Sequence, residues 1–548
     1  MPATLSTPRN FTPGSTKEEQ LKLAKDGLEV IKDLPRYAKE GVQAIEPDDF
    51  MRFKWYGVYQ QKPKEDGYFM LRTRIPGGQL TPAQLREIAA LTDDFAHGFG
   101  DVTTRQTVQL HWLRIEQFPE IFRRLESVGI TCSGACGDIA RNVVGCPVAG
   151  IDPDAILDAT PELRAVDAHL TNNTEFSNLP RKYKISISGC RIMCTQPDIN
   201  CVGVFGLERG KEKGYGIKVG GGLSAAPHLS QTLPVFLKPE DVLPIVHYTS
   251  VIYRDHGYRD KRSRARLKFL VADWGAEKFI TEVERVANRK FERHTEFVFP
   301  EDPESDHVGV KEQIQKGYYW VGVCLAGGRI RGHQMRTIAD LTERYGEKGK
   351  TGIRGTNKQN LIIAFVPEKN VSALKKDLEA AGLVVEPSNF RKGCVSCTGI
   401  EFCNLAVGET KNRMIRLVGE LEKISSHYRD KVRIHFSGCP SSCGQHQVAD
   451  IGFRGATRTV DGVKKEYFDM FLGGKTGADA KFNVLIQPKV PYEEVHLYID
   501  KVLRAYEGKK QGNESLTRWL GRSSKDDLKA IFADVNGNGA ANGHTTTT

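Results

Sequence analysis

The chain repeats one pattern of strands and helices, and this internal duplication restricts its fold more than any other feature. Residues 68–78 and 318–328 each form an alternating strand pattern that ends in Gly-Gly. The same features then follow in both copies: a helical pattern (82–95 and 333–345), a polar turn (104–107 and 357–360), an apolar strand (108–113 and 361–366) and a second helix (118–128 and 371–381). Coincidence between two ordinary α/β segments would not preserve this order. The sequence predicts one α+β unit used twice, with a ligand cleft along its pseudo-twofold axis.

Composition limits the class of protein. At roughly 150 residues per domain, 548 residues make several domains. Hydrophobic residues are 39% and charged residues 27%, so most of the chain can build buried cores. No apolar run approaches the roughly 18 residues needed to cross a bilayer, and the first residues lack a signal-peptide pattern. We expect a soluble, cytoplasmic protein with no membrane partner. The net charge of +10 favours acidic partners or anionic ligands without choosing one.

Twelve cysteines without an export signal indicate reduced thiols or metal thiolates rather than disulfides. The strongest group is Cys397-x5-Cys403 followed by Cys439-x3-Cys443. Four thiolates from two short loops suit either a tetrahedral zinc ion or an iron–sulfur cluster. Structural zinc prefers two-residue spacings, which neither pair has, although Cys394-x2-Cys397 does. Longer spacings suit the bulkier cluster. Buried structural cysteines are the less favoured interpretation, because thiols rarely occur in such close pairs without a metal.

A second group of residues is cationic. Its members lie at predicted strand ends or in loops of the first copy: Arg72, Arg105, Arg141, Arg181, Lys182 and Lys184. Lys182 and Lys184 would share one face of a strand, where two ammonium groups repel each other unless an anion or water lies there. A solvated strand face is the ordinary explanation for one such pair, whereas six converging cations suit a multiply anionic ligand. Walker and dinucleotide-binding patterns are absent from the sequence.

Taken together, these residues resemble the sirohaem- and [4Fe–4S]-containing sulfite/nitrite reductase family, and most of all its ferredoxin-dependent assimilatory sulfite reductases. The resemblance covers about residues 50–510. It is carried by the two cysteine pairs and by several motifs: residues 103–106, Arg141-Asn142-x3-Cys146-Pro147, residues 179–184, 220–223 and 264–269. It implies an α+β fold in which internally duplicated ferredoxin-like half-domains join two larger α/β domains around a pseudo-twofold axis.

The resemblance also implies a division of the chain. The expected segments are an N-terminal arm (1–50), a first half-domain (51–130), a first sirohaem-binding domain (131–300), a second half-domain (301–385), an iron–sulfur and sirohaem domain (386–510) and a C-terminal tail (511–548), disordered from about residue 536.

Site residues carry over position by position. The cluster ligands would be Cys397, Cys403, Cys439 and Cys443, with Cys443 also binding the sirohaem iron. The substrate anion would be bound by Arg72, Arg141, Lys182 and Lys184. The sirohaem ring and its carboxylates would be held by Arg105, Gln109, His111, Arg181, Arg266, Lys268, Gln359 and Asn360.

The implied reaction is the six-electron reduction of sulfite to sulfide, with ferredoxin as the electron donor. Nitrite reduction to ammonia is the alternative. In this family sulfite reductases resemble one another in having Lys at the position of Lys184, where nitrite reductases have Asn, and this favours sulfite. Two other classes are weaker. An electron carrier needs no anion pocket, and a zinc-bearing nucleic-acid protein would show a basic stripe, so we expect no nucleic-acid partner. Related single-chain enzymes imply a monomer.

Three features depart from the family pattern or stay open. Ser441 occupies a position that is often Asn in the family, so a haem contact there is in doubt. In the first copy, Cys146, Cys190 and Cys194 match three of the four ligand positions and Ala140 matches the fourth, where Cys136 could substitute. We favour small buried cysteines over a second cluster. Tyr59 and Cys136 fall where some family members carry a Tyr–Cys covalent link.

Overall fold

The computed structural model describes residues 12–301, 307–350 and 352–533, and these residues belong to two compact units. One unit contains the chain up to Gly222 together with Ala226–Glu386, and the other contains Leu223–Ala225 together with the chain from Pro387 onward. The predicted disordered end, from about residue 536, lies outside the described residues. Within these ranges, no helix combines the length and the apolar composition needed to cross a membrane.

The N-terminal arm consists of short helices that dock through buried charges. Its helices are α1 (Lys17–Ala24), α2 (Leu34–Glu40) and α3 (Asp49–Arg52). Thr16 begins α1 by accepting a hydrogen bond from the backbone of Glu19. Glu19 then lies 2.5 Å from Lys22 and 2.7 Å from Arg259, which belongs to a later domain of the same unit. The arm is therefore fixed to that domain by ion pairs shielded from water.

The first half-domain is an antiparallel sheet covered by two helices. Its elements are β1 (Val58–Gln60), β2 (Phe69–Arg72), β3 (Gln79–Leu80), α4 (Pro82–Phe95), β4 (Phe99–Val102), β5 (Val108–Leu113) and α5 (Phe118–Ser127). Thr81 and Gln84 form a capping box at the start of α4, where Pro82 occupies the first turn. The apolar face of α4, including Leu85 and Ile88, is buried in the core. Both predicted helices and the strand at 108–113 are confirmed, whereas β3 and β4 had not been predicted.

The first larger domain combines parallel and antiparallel pairing. Its elements are β6 (Val144–Gly145), α6 (Thr160–Leu170), β7 (Ile185–Ser188), β8 (Val202–Arg209), β9 (Glu212–Val219), β10 (Gln231–Thr232), β11 (Val235–Phe236), α7 (Pro239–His256), α8 (Leu267–Ala287) and β12 (Glu292–Arg293). Strands β6, β7 and β8 are parallel neighbours, and β9 and β10 continue the sheet in antiparallel fashion. A non-helical backbone at Gly275 interrupts α8.

The second half-domain repeats the first. Its elements are β13 (Gly309–Glu312), β14 (Tyr318–Val323), β15 (Arg329–Arg331), α9 (Gly332–Tyr345), β16 (Ile353–Gly355), β17 (Leu361–Pro367) and α10 (Glu368–Ala380). The strand orders are β1-β2-β5-β4-β15 and β13-β14-β17-β16-β3. Each half-domain thus adds a short strand to the sheet of the other. This reciprocal exchange is the structural form of the duplication predicted from the sequence.

Matching residues secure the two exchanged strands. Gly78 and Gly328 both have positive φ, and a Cβ on either would lie about 2.5 Å or less from a backbone oxygen of the other half, at Gly355 and Val102 respectively. The amides of Gln106 and Gln359 donate to these same two carbonyls, at 2.9 and 3.0 Å. Glycine is required here because the exchanging backbones touch.

The second unit repeats the sheet of the first larger domain. Its elements are α11 (Asn389–Lys392), β18 (Cys394–Ser396), α12 (Lys411–Ile424), β19 (Ile434–Ser437), β20 (Ile451–Val460), β21 (Val463–Leu472), β22 (Val484–Pro491), α13 (Val495–Lys509), α14 (Leu516–Arg522) and α15 (Lys525–Ala530). Strands β18, β19 and β20 are parallel, and β21 and β22 are antiparallel. The six segment boundaries predicted from the sequence remain a prediction. The division between the units falls after Glu386.

We expect Glu19→Gln to lower the free energy of unfolding by about 3–5 kcal/mol, because it removes the buried negative charge that both Lys22 and Arg259 contact. Glu29→Gln is the matched control, since Glu29 forms the same i,i+3 pair with Lys32 but its side chain is 49% exposed. It should cost at most about 1 kcal/mol. Urea denaturation at neutral pH measures both values, and equal losses would show that the arm does not depend on this ion pair.

Candidate functional site

The four predicted cluster cysteines lie in two loops at one edge of the second unit's sheet. Ser396 at the end of β18 is paired with Phe436 on the parallel strand β19. Cys397 follows β18 directly, and Cys439 follows β19 after a single glycine. Carboxyl ends of neighbouring parallel strands meet at the same edge of a sheet. The fold therefore brings both loops, with Cys403 and Cys443 further along them, to one place.

Small residues let these loops pack closely. The Gly438 N–H donates to the Cys397 sulfur at 3.2 Å. A Cβ on Gly444 would lie 1.9 Å from the Phe436 carbonyl oxygen, and one on Gly399, where φ is +75°, would meet the Thr410 side chain at 2.7 Å. Backbone N–H groups directed at thiolates stabilise their charge and tune the potential of a bound cluster.

The four thiols differ in exposure and stand close enough to affect one another. Cys439 is buried, Cys397 and Cys403 are partly buried, and Cys443 is exposed. Burial, followed by the neighbouring Cys443, raises the pKa of Cys397 to about 12. Burial also raises the pKa of Cys403, and Cys443 and Cys439 add to this effect. Thiols grouped in this way ionise readily only when a metal supplies the opposing positive charge. The donor set fits an iron–sulfur cluster.

In the first unit, three of the predicted cations lie close together. Arg105 donates to the Asn142 carbonyl at 2.5 Å, to the Ile185 carbonyl at 3.0 Å and to the Asn200 side chain at 3.1 Å. Loss of solvent, together with the charges of Arg141 and Arg72, lowers the pKa of Arg105 to about 9. A guanidinium with this pKa is destabilised by its surroundings, so an anionic ligand beside it would be strongly favoured.

Arg72 and Arg141 extend this group towards Tyr59 and Cys136. Arg72 donates to the Cys136 sulfur at 3.7 Å, and its guanidinium carbon lies 5.9 Å from the Tyr59 ring centre. The Tyr59 hydroxyl contacts the Cys136 sulfur. Arg141 is buried, and two of its nitrogens donate to the Gly137 carbonyl at 2.7 and 3.1 Å.

Lys182 and Lys184 flank the fully buried Tyr183 and are themselves only partly buried, and their sharing of one strand face stays a prediction. A second cationic group surrounds Cys201. Arg266 donates to the Cys201 sulfur at 3.5 Å. Although burial opposes ionisation of this thiol, Arg266 and Lys184 lower its pKa overall. Burial lowers the pKa of Lys268 to about 7, and Arg266 and Lys182 contribute.

Five further predicted residues already bond to protein groups. The buried His111 lies 3.1 Å from Asp101, and Gln109 donates to the Met70 sulfur at 3.1 Å. The Arg181 guanidinium lies 3.0 Å from Asp138, which raises the pKa of Arg181 although burial lowers it. Gln359 supports the exchanged strand, and Asn360 accepts a hydrogen bond from the Leu325 N–H at 2.8 Å. These contacts hold the five side chains in place within the protein. Their direct contacts with a cofactor stay predictions.

Three further cations were not selected from the sequence: Lys54, Lys358 and Arg74. Lys358 is buried and occupies in the second copy the position that Arg105 occupies in the first, so the internal alignment contained the signal. Burial lowers the pKa of Lys54, and Arg262 and Arg181 contribute to this shift. Arg74 is fully buried and pairs with Asp167 at 2.6 Å. No local sequence pattern indicates that Lys54 or Arg74 belongs to this group.

Comparison with known proteins agrees with this arrangement. The family described as nitrite and sulphite reductase 4Fe-4S domain matches residues 136–291 and 391–529. The family described as nitrite/sulfite reductase ferredoxin-like half domain matches residues 60–128 and 311–381.

Individual relatives span almost the whole chain. A protein named sulfite reductase (ferredoxin) 1, from Mycolicibacterium paratuberculosis, is 39% identical over 93% of this chain and 95% of its own length. A protein named assimilatory ferredoxin-dependent nitrite reductase, from Haloferax mediterranei, is 37% identical over 93% of this chain and 92% of its own. The solved structure of the Mycobacterium tuberculosis NirA protein superposes with a TM-score of 0.89, at 36% identity, covering 94% of this chain and 98% of the other.

These matches define an iron–sulfur protein built on duplicated ferredoxin-like half-domains. The chain belongs to the nitrite and sulphite reductase 4Fe-4S family. The predicted family and α+β fold class are confirmed.

We expect Gly444→Ala to displace the loop that carries Cys443, because the added methyl group meets a backbone oxygen that cannot move aside. Overpacking of about 1–3 kcal/mol would lower the melting temperature by roughly 2–12 °C, and the purified variant should lose bound iron. Gly521→Ala is the control, since a Cβ there meets nothing within 4 Å. Iron analysis and thermal melts check both variants, and wild-type iron content in Gly444→Ala would contradict this account.

The contact between Tyr59 and Cys136 makes a covalent link between them sterically accessible. A linked chain, measured by intact mass spectrometry after cofactor removal and full reduction, is lighter than its sequence mass by a pair of hydrogen atoms. Cys136→Ser must then show the unmodified mass. We expect the lighter mass in protein purified from cells, and the unmodified mass in that protein would mean that the two side chains only touch.

Proposed function

We propose that this protein is a ferredoxin-dependent sulfite reductase that contains sirohaem and a [4Fe–4S] cluster, and that it reduces sulfite to sulfide with six electrons. Family membership and relatives named sulfite reductase (ferredoxin) support this. The observation that carries the proposal is the group of mutually repelling cations around Arg105, which calls for a multiply anionic ligand.

Four cysteines would hold the cluster: Cys397, Cys403, Cys439 and Cys443. Cys443 is the exposed member of this set, which suits a sulfur shared between the cluster and a second metal centre. When bound, the cluster and the sirohaem supply one-electron transfer and an iron that binds the substrate. The loop glycines, with the Gly438 N–H on Cys397, stabilise the negative charge that the cluster adds.

A ring with many carboxylates would be held by the remaining cations and the polar residues around them: Arg105, Gln109, His111, Arg181, Arg266, Lys268, Gln359 and Asn360. Among the described residues, the buried Nε atoms of Arg105 and Arg266 have no hydrogen-bond partner in the protein. Carboxylates placed there would satisfy these donors and remove the repulsion that lowers the pKa of Arg105 and Lys268.

Arg72, Arg141, Lys182 and Lys184 would bind the substrate oxyanion. Their positive charges stabilise the negative charge that grows on each oxygen as its bond to sulfur weakens. Lysine ammonium groups, or water molecules held by the cations, supply the protons with which each oxygen leaves as water. Arg141 is pre-oriented for this task by its two hydrogen bonds to Gly137, so little reorganisation accompanies anion binding.

Nitrite reduction is the second candidate function, because a relative of nearly equal identity is named a nitrite reductase. Sulfite carries more charge and one more oxygen to protonate, so it gains more from a fourth cation. Lys184 supplies that cation and gives sulfite the preference. An electron carrier is disfavoured, since it would have no use for the buried cations around Arg105.

Ferredoxin is the proposed donor, in line with the names of the relatives and with the net charge of +10, which favours an acidic partner. Monomeric function in the cytoplasm belongs to the same proposal. The structure pairs none of the twelve cysteines in a disulfide, and this suits a reducing compartment.

An absorption spectrum of the purified protein tests the cofactors. The proposal requires the Soret and red bands of sirohaem together with a cluster signal, and their absence would overturn it. Parallel assays of sulfite and nitrite with reduced ferredoxin then establish the substrate.

We expect Lys184→Asn to lower kcat/KM for sulfite by about 100-fold, as for loss of one charge-stabilising donor, and to lower kcat/KM for nitrite about tenfold less. Lys213→Asn is the control, because Lys213 is an exposed lysine on β9 of the same domain and should change neither value. Equal losses for the two anions would remove the argument for sulfite.

A further inference from the structure

The first unit contains a counterpart of the cluster loops, and strand register defines it. Gly145 on β6 pairs with Ile187 on β7, just as Ser396 on β18 pairs with Phe436 on β19. The next residue after each first strand is a cysteine, Cys146 or Cys397. On sequence alone, Ala140 matches the fourth ligand position, which aligns Ala140 with Cys397. Strand register aligns Cys146 with Cys397 instead, so that match is wrong by six residues. Ala140 forms its bridge with Tyr183, before β7 begins.

With the register corrected, the fourth position is occupied by an acid. Cys397-x5-Cys403 in the second unit corresponds to Cys146-x5-Asp152 in the first. The second loops also correspond, with Cys190-x3-Cys194 matching Cys439-x3-Cys443. We call the first-unit residues the Cys₃Asp site: Cys146, Asp152, Cys190 and Cys194.

The loop after β7, which carries Cys190 and Cys194, and the loop after β19, which carries Cys439 and Cys443, have the same unusual backbone conformation at two positions. Met193 precedes Cys194 with φ +56°, and Ser442 precedes Cys443 with φ +56°. Gln196 and Gln445, further along, have φ +57° and +58°. A left-handed conformation is uncommon for residues other than glycine. Two loops that both adopt it at the same two positions place their side chains in the same way.

The ligand atoms of the Cys₃Asp site already converge. The sulfurs of Cys146 and Cys190 and a carboxylate oxygen of Asp152 all lie within 4.8 Å of one another. Cys194 is within hydrogen-bonding reach of both Cys146 and Cys190. Three donors from two loops thus converge, and the sulfur of Cys194 stands beside two of them.

This spacing suits one metal ion rather than a cluster. A tetrahedral zinc with Zn–S bonds of about 2.3 Å has neighbouring sulfurs about 3.8 Å apart. Sulfurs in mutual hydrogen-bonding reach match that edge, whereas a cubane holds its thiolates further apart. Zinc accepts three thiolates with one carboxylate oxygen, since Cys and Asp are both among its ordinary ligands.

The surroundings also suit a structural ion. Cys146 and Cys190 belong to an apolar cluster with Trp320 and Ile362, which come from the second half-domain of the same unit. Asp152 is only partly buried, and Asp154 donates its N–H to one of its oxygens at 3.0 Å. The buried His307 places its Nε2 4.0 Å from the Cys194 sulfur. The Asp154 N–H thus holds Asp152, and His307 lies beside Cys194, while Trp320 and Ile362 make the surroundings of Cys146 and Cys190 apolar.

We propose that the Cys₃Asp site binds one zinc ion, which joins the loops after β6 and β7 beneath the second half-domain. Zinc has no redox chemistry, so the site would stabilise the fold and carry no electrons. The four corresponding ligand positions of the two copies would then serve two purposes, a redox cluster in one unit and a structural ion in the other.

Metal analysis of the purified holoprotein tests the proposal. We expect about one zinc per chain, retained after dialysis against a mild chelator, in addition to the iron. Zinc-edge X-ray absorption on the same sample should show sulfur neighbours at about 2.3 Å and one lighter neighbour. The zinc content is measured without reference to sirohaem or to enzyme activity. Failure of the zinc proposal is therefore distinguishable from failure of the proposed sulfite reductase function.

Variants localise the ion. Cys190→Ala should abolish zinc retention and leave the sirohaem spectrum present, and Asp152→Ala should weaken retention without abolishing it. Cys132→Ala is the matched control, because Cys132 is also a buried cysteine of the same unit and lies in a different apolar core. It should keep its zinc. If Cys190→Ala fails to fold, the X-ray absorption spectrum of the native protein still decides the question.

Three outcomes would overturn the proposal. Zinc far below one per chain, or removed by the mild chelator, would mean an adventitious ion only. Zinc bound by oxygen and nitrogen alone would place it elsewhere. Additional iron with the magnetic signature of a second cluster would show that the corresponding loops hold the same group in both copies.

Discussion

Parallel pairing of two neighbouring strands is the constraint on which the metal chemistry of this protein depends. Wherever two parallel strands end side by side, the loops that leave them start only one strand spacing apart. The chain uses this edge twice, after β6 and β7 and again after β18 and β19. In each case a cysteine follows the first strand directly and another follows the second after one glycine. Thiols distant in sequence therefore meet without a dedicated scaffold.

Electrostatics supplies the second constraint. The first unit concentrates guanidinium and ammonium groups, and their burial, together with their mutual repulsion, lowers the pKa values of Arg105 and Lys268. Such an arrangement destabilises the protein taken alone, because burial removes solvent from these charges while like charges stand side by side. A ligand with many carboxylates reverses the sign of this contribution. Binding of such a ligand should consequently be strong, and the stability of the fold and occupancy of the site are linked through the same charges.

The sequence allowed much of this to be predicted, for identifiable reasons. The helix over 82–95 has a capping box and an apolar face, and the strand at 108–113 has apolar residues at alternate positions. Both were located correctly because these signals are local. The exchanged strands β3 and β15 were not predicted, because two or three residues carry no periodicity and their partner strands lie about 275 and 230 residues away in the sequence. The four cysteines proposed to hold the cluster were selected by their spacing. His111 and Gln359 illustrate the limit, because only the structure shows that Asp101 and the Val102 carbonyl bond to them.

Asp152 shows why register matters more than residue type in a duplicated protein. A search for a fourth cysteine in the first copy looks for sulfur and selects a position by sequence alone. Strand pairing instead selects the position first and then reveals which residue occupies it. That residue is a carboxylate whose oxygen lies beside the sulfurs of Cys146 and Cys190. Exchange of one soft thiolate for a hard oxygen, with the sulfurs drawn closer together, changes which metal the same loops prefer. Duplication thus supplied the geometry, and a change at one ligand position, with closer sulfur packing, would give the two copies different metal chemistry.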